Sequence, residues 1–259
     1  RDNKTFNFSI FSSAEAITAF GIDNMVKLGI GYVWIGAESK QSLFEKTKGI
    51  DVAKLIADLR AHGIFVLASS ILFLEHHTKE NIWGDIDFAI NLKPDFTQFM
   101  QLGPMPQTKL YLDYKAEGKL CEDIPYEEWH GQHRLWFRHP NFTPEESEDI
   151  LRKAFQKEFN DLGPSILRVG ETMIRGLDAP VFKTDDPFVK QRYEIALRKC
   201  KAYYLALSAL KWLTPTQGMK QQADRTLALF REKLGPRTPL NLMANSFVFT
   251  LANGAKFVK

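Results

Sequence analysis

The feature that most restricts what this chain can fold into is a fourfold alternation in its first hundred residues. An apolar run of strand length is followed each time by a segment whose apolar residues return at helical spacing. Phe6–Phe11 reads as a strand, and the segment to Leu28 as a helix that Gly29 stops. Tyr32–Gly36 is the second strand. Asp51 is placed to cap a helix with Val52, Leu55, Ile56 and Leu59 at i, i+3, i+4 and i+7, and Gly63 ends it. Ile64–Leu72 is the third strand, nearly continuous in apolar residues, as parallel strands covered on both faces tend to be. Thr78 is expected to cap the next helix, with Ile82, Ile86 and Ala89 on one face, and Phe96–Leu102 is the fourth strand. Units repeating roughly every 25–35 residues make parallel strands joined by right-handed crossovers. The expected fold class is therefore α/β, a partial (β/α) barrel of about four parallel strands followed by an α-helical C-terminal extension. A doubly wound sheet fits less well, because no strand leads into GxGxxG and the dinucleotide-binding signature is missing.

Past residue 102 the character changes. Residues 103–142 are rich in Pro, Tyr, Trp and His with little periodicity, and read as an irregular aromatic connection. Thr143-Pro144-Glu145-Glu146 then opens a helix with an N-cap, a proline at the first helical position and a capping-box glutamate. Its apolar face is Ile150, Leu151, Ala154, Phe155 and Phe159. A second helix is expected after Asp186-Pro187 with Tyr193, Leu197, Cys200, Tyr204 and Leu207 inward, and a third from about Lys220 to Leu234. The division is thus 1–102 barrel, 103–142 connection and 143–259 helical extension.

Composition narrows the function classes. The 44% apolar and 25% charged content is that of an ordinary globular chain, and Lys+Arg 34 against Asp+Glu 31 is too balanced to argue for nucleic acid. The longest largely apolar run, Ile64 to Leu74, is far short of the ~20 residues that span a bilayer. Cys121 and Cys200, the only cysteines, form no CxxC pair, so reduced thiols and a cytoplasmic location are expected. The chain opens on Arg1 and enters a strand almost at once, which reads as the back part of a longer protein.

In (β/α) barrels the C-terminal ends of the strands carry the site. Here those ends are Ser12-Ser13, Gly36-Ala37-Glu38-Ser39, Ser69-Ser70 with Glu75-His76-His77, and Gly103-Pro104-Met105-Pro106. A glutamate just past a glycine at a strand end can accept two hydrogen bonds from a ribose diol, each charge-assisted bond contributing roughly 1.5–3 kcal/mol. The plainer role for Glu38 is to cap the next turn or pair with Lys40. His76 and His77 are adjacent and lack the i, i+4 spacing of a chelating pair, so a loop before the Thr78 cap is the expectation, with no metal. His130, His133 and His139 with Cys121 match no zinc-finger spacing, and Trp129, Trp136 and Phe142 beside them suggest a packed aromatic loop.

The order of segments nevertheless resembles one family. GIDNMVKLGIGYVWIGAESK, KTKGIDVAKLIADLRAHGI, VLASSILFLEHHTKENI and DFTQFMQLGPMPQTKLY are similar in sequence and order to the second half of a radical S-adenosylmethionine (SAM) barrel. The subgroup with an N-terminal cobalamin-binding domain is the nearest in character. Trp129-His130-Gly131, RHPNFTPEE from Arg138 and GPSILR from Gly163 resemble that subgroup's C-terminal extension, so the likeness covers essentially the whole chain. The resemblance implies SAM as cofactor, a 4Fe-4S cluster whose ligands lie outside this chain, cobalamin in a domain also outside it, and a small-molecule substrate. It places the ribose contact at Glu38, with Gly36 and Ser39 on the same turn. It puts Ser70 and Ile71 beside the adenine and methionine, Ser12 facing the cofactor, and Pro104, Pro106 and Thr108 on the substrate side.

Three departures stand out. The family usually has Gly where Phe73 stands, and a benzyl group there is expected to crowd the adenine. Gln107 replaces the usual Gly of a Pro-x-Pro-Gly-Thr loop. The CxxxCxxC loop is absent, and without three thiolates this chain holds no such cluster. The competing readings are a non-catalytic remnant or subunit that binds a nucleotide or partner, and a barrel hydrolase using Glu38 and Glu75 as paired carboxylates.

Overall fold

The computed structural model describes residues 4–37, 49–210 and 214–236, together with positions 239, 242, 243, 246 and 250. Among them lies one four-stranded, wholly parallel sheet in the order β1 (Phe8–Ser12), β2 (Ile30–Gly36), β3 (Phe65–Leu72), β4 (Phe96–Gln101). The fold is α/β with a helical C-terminal part, and a sheet in strict chain order is the wall of a partial (β/α) barrel. No helix among the described residues is long and apolar enough to cross a membrane.

The crossovers follow the sequence with two differences. The expected first helix is broken into α1 (Ala14–Phe20) and α2 (Ile22–Leu28) at Gly21, whose φ of 85° no helix accommodates. Asp51 caps α3 (Val52–Ala61) as expected, accepting the Lys54 N–H at 2.9 Å. The next helix, α4 (Ile82–Asn91), starts later than expected. Thr78 instead receives the N–H groups of Glu80 and Asn81 at 3.3 Å each, closing the turn ahead of it.

Strand alternation sorts the sheet into two faces. The register row Ile10–Val33–Val66 and the pair Ile35–Ala68 above it point to the helices and pack on Leu55, Ile56 and Leu59 of α3. Leu72 and Phe99 continue this layer against α4, where they meet Ile82, Ile86 and the connection residues Leu135, Phe137 and Phe142.

The connection is more regular than its composition suggests. It contains α5 (Lys109–Ala116), capped by Thr108, which accepts the Tyr111 N–H at 3.2 Å. Next, α6 (Pro144–Leu162) starts with the expected capping box between Thr143 and Glu146 and lays Leu151 and Ala154 against α4 and β4. Three further helices, α7 (Ser165–Gly176), α8 (Pro187–Leu210) and α9 (Gln217–Leu234), bury Leu167, Ile174, Cys200, Leu207, Leu227 and Phe230 between them.

This bundle is locked to the bottom of the sheet by one buried ionic knot. Asp95, fully buried at the foot of β4, accepts the Val66 N–H at 2.9 Å, the Thr172 hydroxyl at 2.6 Å and Arg60 Nε at 3.2 Å. Burial pushes the Asp95 carboxyl up, while Arg60, Thr172 and the Val66 amide pull it back toward the charged form. Arg168, the last residue of the GPSILR segment, donates to the carbonyls of Asp95 at 3.1 Å and Gly163 at 2.6 Å and pairs with Glu158. Beside the knot α7 touches the end of α3 at glycine. A Cβ on Gly176 would sit 2.3 Å from Gly63 Cα.

Candidate functional site

The second face of the sheet carries no helix among the described residues. Four rows cross it, set by the register: Ser9–Tyr32–Phe65, Phe11–Trp34–Leu67–Phe96, Gly36–Ser69–Gln98, and Ile71–Met100. None of these positions carries a charge. Rings dominate the lower rows: Phe11 lies 4.5 Å from Trp34 and Tyr32 lies 6.1 Å from Phe96, centroid to centroid. Phe11 is 76% exposed and Ile71 49%. Toward the C-terminal ends the face becomes polar, where Ser69 Oγ donates to Gln98 Oε1 at 3.2 Å. A parallel sheet ordinarily has both faces covered, so an apolar, uncharged and uncovered face is what the inner wall of an unclosed barrel presents.

The rim above this face is held from behind by two loops. The first follows β3. Leu74 donates its N–H to His77 Nδ1 at 3.1 Å, so Nε2 carries the proton and donates to Asp85 at 3.0 Å. His139 Nε2 donates to Leu74 O at 3.0 Å while Nδ1 accepts the Asn141 N–H at 3.1 Å, and Asn141 Nδ2 reaches His77 O at 2.8 Å. The RHPNF segment is thus the brace of the β3 loop. Burial lowers the His139 pKa, an effect that its bond to Leu74 O opposes.

The second loop belongs to the Trp129-His130-Gly131 segment. Gly131, at φ 73°, accepts the Gln101 N–H at 2.7 Å, and a Cβ there would meet Met100 Cε at 2.9 Å. Glycine closes this loop over the end of β4 without strain. Trp136, buried and stacked 5.9 Å from Trp129, presses its ring on Gly103, where a Cβ would lie 2.9 Å away.

The residues expected at the site fall in distinct places. Gly36 and Ile71 stand on the open face at the ends of their strands. Ser70 is buried, pairs in register with Phe99 of the helix-facing layer, and spends its hydroxyl on Ala37 O at 3.0 Å. Ser12 pairs with Ile35, which also faces the helices. Glu38 and Ser39 lie outside the described residues, directly after Ala37. Pro104 is buried and Pro106 half-buried, and Thr108 is engaged as the α5 cap, its hydroxyl donating to Met105 O at 2.6 Å.

Ser69, one of the expected strand-end residues, shares the open face with Gly36, and so do Gln98 and Met100, which end no apolar run and carry no signal of their own in the sequence. The period of two along the strand puts Ser69 rather than Ser70 on the face of Ile71.

Phe73 and Gln107, the two positions at which the resemblance expects glycine, have φ 62° and 67°. The Phe73 ring is fully buried, edge-on to Phe142 at 5.1 Å, so it does not stand open at the rim.

The histidines have other work. The ligand atoms of His76, His77 and Asp85 lie within 4.8 Å of one another. His77, however, has Nδ1 committed as an acceptor and Nε2 as a donor, which leaves it no lone pair for a metal. His133 faces Glu128 at 3.2 Å and Glu148 at 3.7 Å, and His139 turns to the β3 loop, so these two and Cys121 do not converge. Glu75 accepts the Tyr114 hydroxyl at 2.8 Å and lies 3.6 Å from Lys119. No family model matches this chain, and no curated protein matches it.

Proposed function

We propose that this chain is the C-terminal part of a radical SAM barrel, whose open sheet face is the inner wall and whose strand ends bind the nucleoside half of SAM. The observation that carries the reading is the uncharged aromatic face of a sequentially ordered parallel sheet with no helix over it among the described residues. Strands supplied by an N-terminal remainder of the parent protein would close the cylinder. Support comes also from Phe73 and Gln107, which hold positive φ at the two positions where that family keeps glycine.

The chain's own residues then divide the work. Glu38 accepts the two ribose hydroxyls, and Gly36 and Ser39 flank it. Ile71 offers an apolar edge to the adenine. Ser70, through Ala37 O, holds the backbone that leads into Glu38 and is a positioning residue. Ser12 supports the rim from β1, and Pro104, Pro106 and Thr108 border the substrate.

The residues present do not fit the cluster. Three thiolates are needed, while Cys200 is buried with its thiol pushed up to about 11, and Cys121 sits in the connection with a raised pKa. Cleavage of SAM to a 5′-deoxyadenosyl radical is what a cluster supplies in that family; cobalamin-dependent methyl transfer follows where its domain is present. Both groups belong to sequence outside this chain. Two free cysteines agree with a cytoplasmic setting, which is part of the proposal. The cysteine content also favours, as a second reading, a non-catalytic subunit that binds a nucleotide or partner on the same rim. The test is to express the chain with its upstream coding sequence, reconstitute it anaerobically, and assay 5′-deoxyadenosine after reduction. Its formation supports the enzyme; SAM binding without it supports the subunit. No SAM binding at all removes both.

A further inference from the structure

The opposite end of the sheet, where β1, β2 and β3 begin, holds a cavity of about 120 Å3 between the strands and the helices α2, α3, α7 and α8. Glycine makes the room. Gly31 lines it where the β1–β2 register shifts, and a Cβ there would find nothing within 4 Å. The floor is apolar: Val26, Ile30, Ile64, Met173 and Phe182 line it. The volume is near that of the apolar cavities of about 150 Å3 that take a benzene ring.

The α8 wall is cationic. Arg192 and Lys199 are two turns apart on one face of that helix, and both line the cavity. Arg192 donates Nε to Lys27 O at 2.8 Å, Nη1 to Phe6 O at 3.1 Å and Nη2 to Leu28 O at 2.8 Å. A guanidinium has five N–H groups, so one remains on each Nη. Burial lowers the Arg192 pKa, and no acid opposes it. Lys199 likewise pairs with no acid among the described residues. His62 at the rim is taken by Asp23 at 3.3 Å. A half-buried arginine and an exposed lysine on one wall, neither paired with an acid among the described residues, over an apolar floor, suit an anion that has a hydrocarbon body.

We propose that this cavity binds a small amphipathic carboxylate, its hydrocarbon part on the Gly31 floor and its carboxylate between Arg192 and Lys199. The planar fork of Arg192 suits a carboxylate end-on, and one carboxylate balances a guanidinium that lacks an acid. A bound ligand would bridge α8 to the starts of β1 and β2, which Arg192 already joins through Phe6 and Leu28. The site lies at the far end of the strands from the rim and does not depend on what the rim holds.

The test is titration calorimetry of the full-length protein with benzoate and pentanoate, against benzyl alcohol, 1-pentanol and inorganic phosphate. The carboxylates should bind at least about tenfold more tightly than the matched alcohols, and phosphate more weakly than either carboxylate. Gly31→Leu, which fills the floor, should abolish binding. Lys199→Gln, on an exposed position that leaves the fold intact, should weaken the carboxylates and leave the alcohols unchanged. Equal binding of alcohols and carboxylates, equal binding of phosphate, or affinity indifferent to both substitutions would each overturn the proposal.

Discussion

Phe73 and Gln107 share a backbone conformation and nothing else, so replacing each with glycine should move stability in opposite directions. At φ 62° and 67° both residues sit in the left-handed region, where an L side chain costs roughly 1–2 kcal/mol that glycine avoids. Gln107 is exposed, so Gln107→Gly forfeits no burial and should stabilise by about 1 kcal/mol after the added entropy of the unfolded chain. Phe73 is 0% exposed, edge-on to Phe142 and inside the layer between β3, β4 and α4. Truncating a buried phenylalanine costs about 3–5 kcal/mol, so Phe73→Gly should destabilise by about 2–4 kcal/mol net of the relieved strain. Urea denaturation followed by circular dichroism reads both values. For a chain of this size, Gln107→Gly should raise Tm by about 2–4 °C. A Phe73→Gly variant as stable as the parent would refute the burial argument, and a destabilised Gln107→Gly would refute the backbone one.

Asp95→Ala strips the half-buried Arg60 guanidinium of its carboxylate, leaving it neutral acceptors such as the Lys93 carbonyl and the Thr172 hydroxyl, and takes the acceptor from the Thr172 hydroxyl and the Val66 amide; it should cost about 3–5 kcal/mol in chemical denaturation. A loss below about 1 kcal/mol would mean that the knot is not what joins bundle to sheet. His139 has a folded pKa below its ordinary value, chiefly through burial, so its contribution is complete above the unfolded value of about 6.5 and is lost as pH falls below that toward the folded pKa. Thermal melts of wild type and His139→Gln should therefore converge as the pH is lowered from 7 toward 5. A constant gap between them would show that His139 titrates alike in the folded and unfolded chain, and would refute the burial effect.

The strands were legible because each is a compact apolar run ended by small or polar residues, and the long helices because Asp51, Thr143 and Asp186 mark their starts. The break at Gly21 was hidden, since the apolar pattern runs on through it. Helix α5 was hidden because its apolar residues Leu110, Tyr111, Leu112 and Tyr114 make no stripe, and only Tyr114 is buried. At the site, Gly36 and Ile71 followed from strand ends alone. Of the strand-end pair Ser69-Ser70, the resemblance points to Ser70, whereas strand alternation puts Ser69 on the open face. The contact of Ser69 with Gln98 depends on register between β3 and β4, which no local pattern encodes. The braces supplied by His139, Asn141 and Gly131 join segments 30 or more residues apart in sequence, and only the folded chain brings them together.

The central claim is that the strand ends of this open sheet grip an adenosyl group through Glu38. Calorimetric titration of SAM into the full-length protein and its Glu38→Gln variant tests it most directly. The account predicts that the variant binds SAM about tenfold to a hundredfold more weakly, the equivalent of roughly 1.5–3 kcal/mol, with its melting temperature unchanged. Equal affinity in the two proteins would contradict it and return Glu38 to the role of a turn cap.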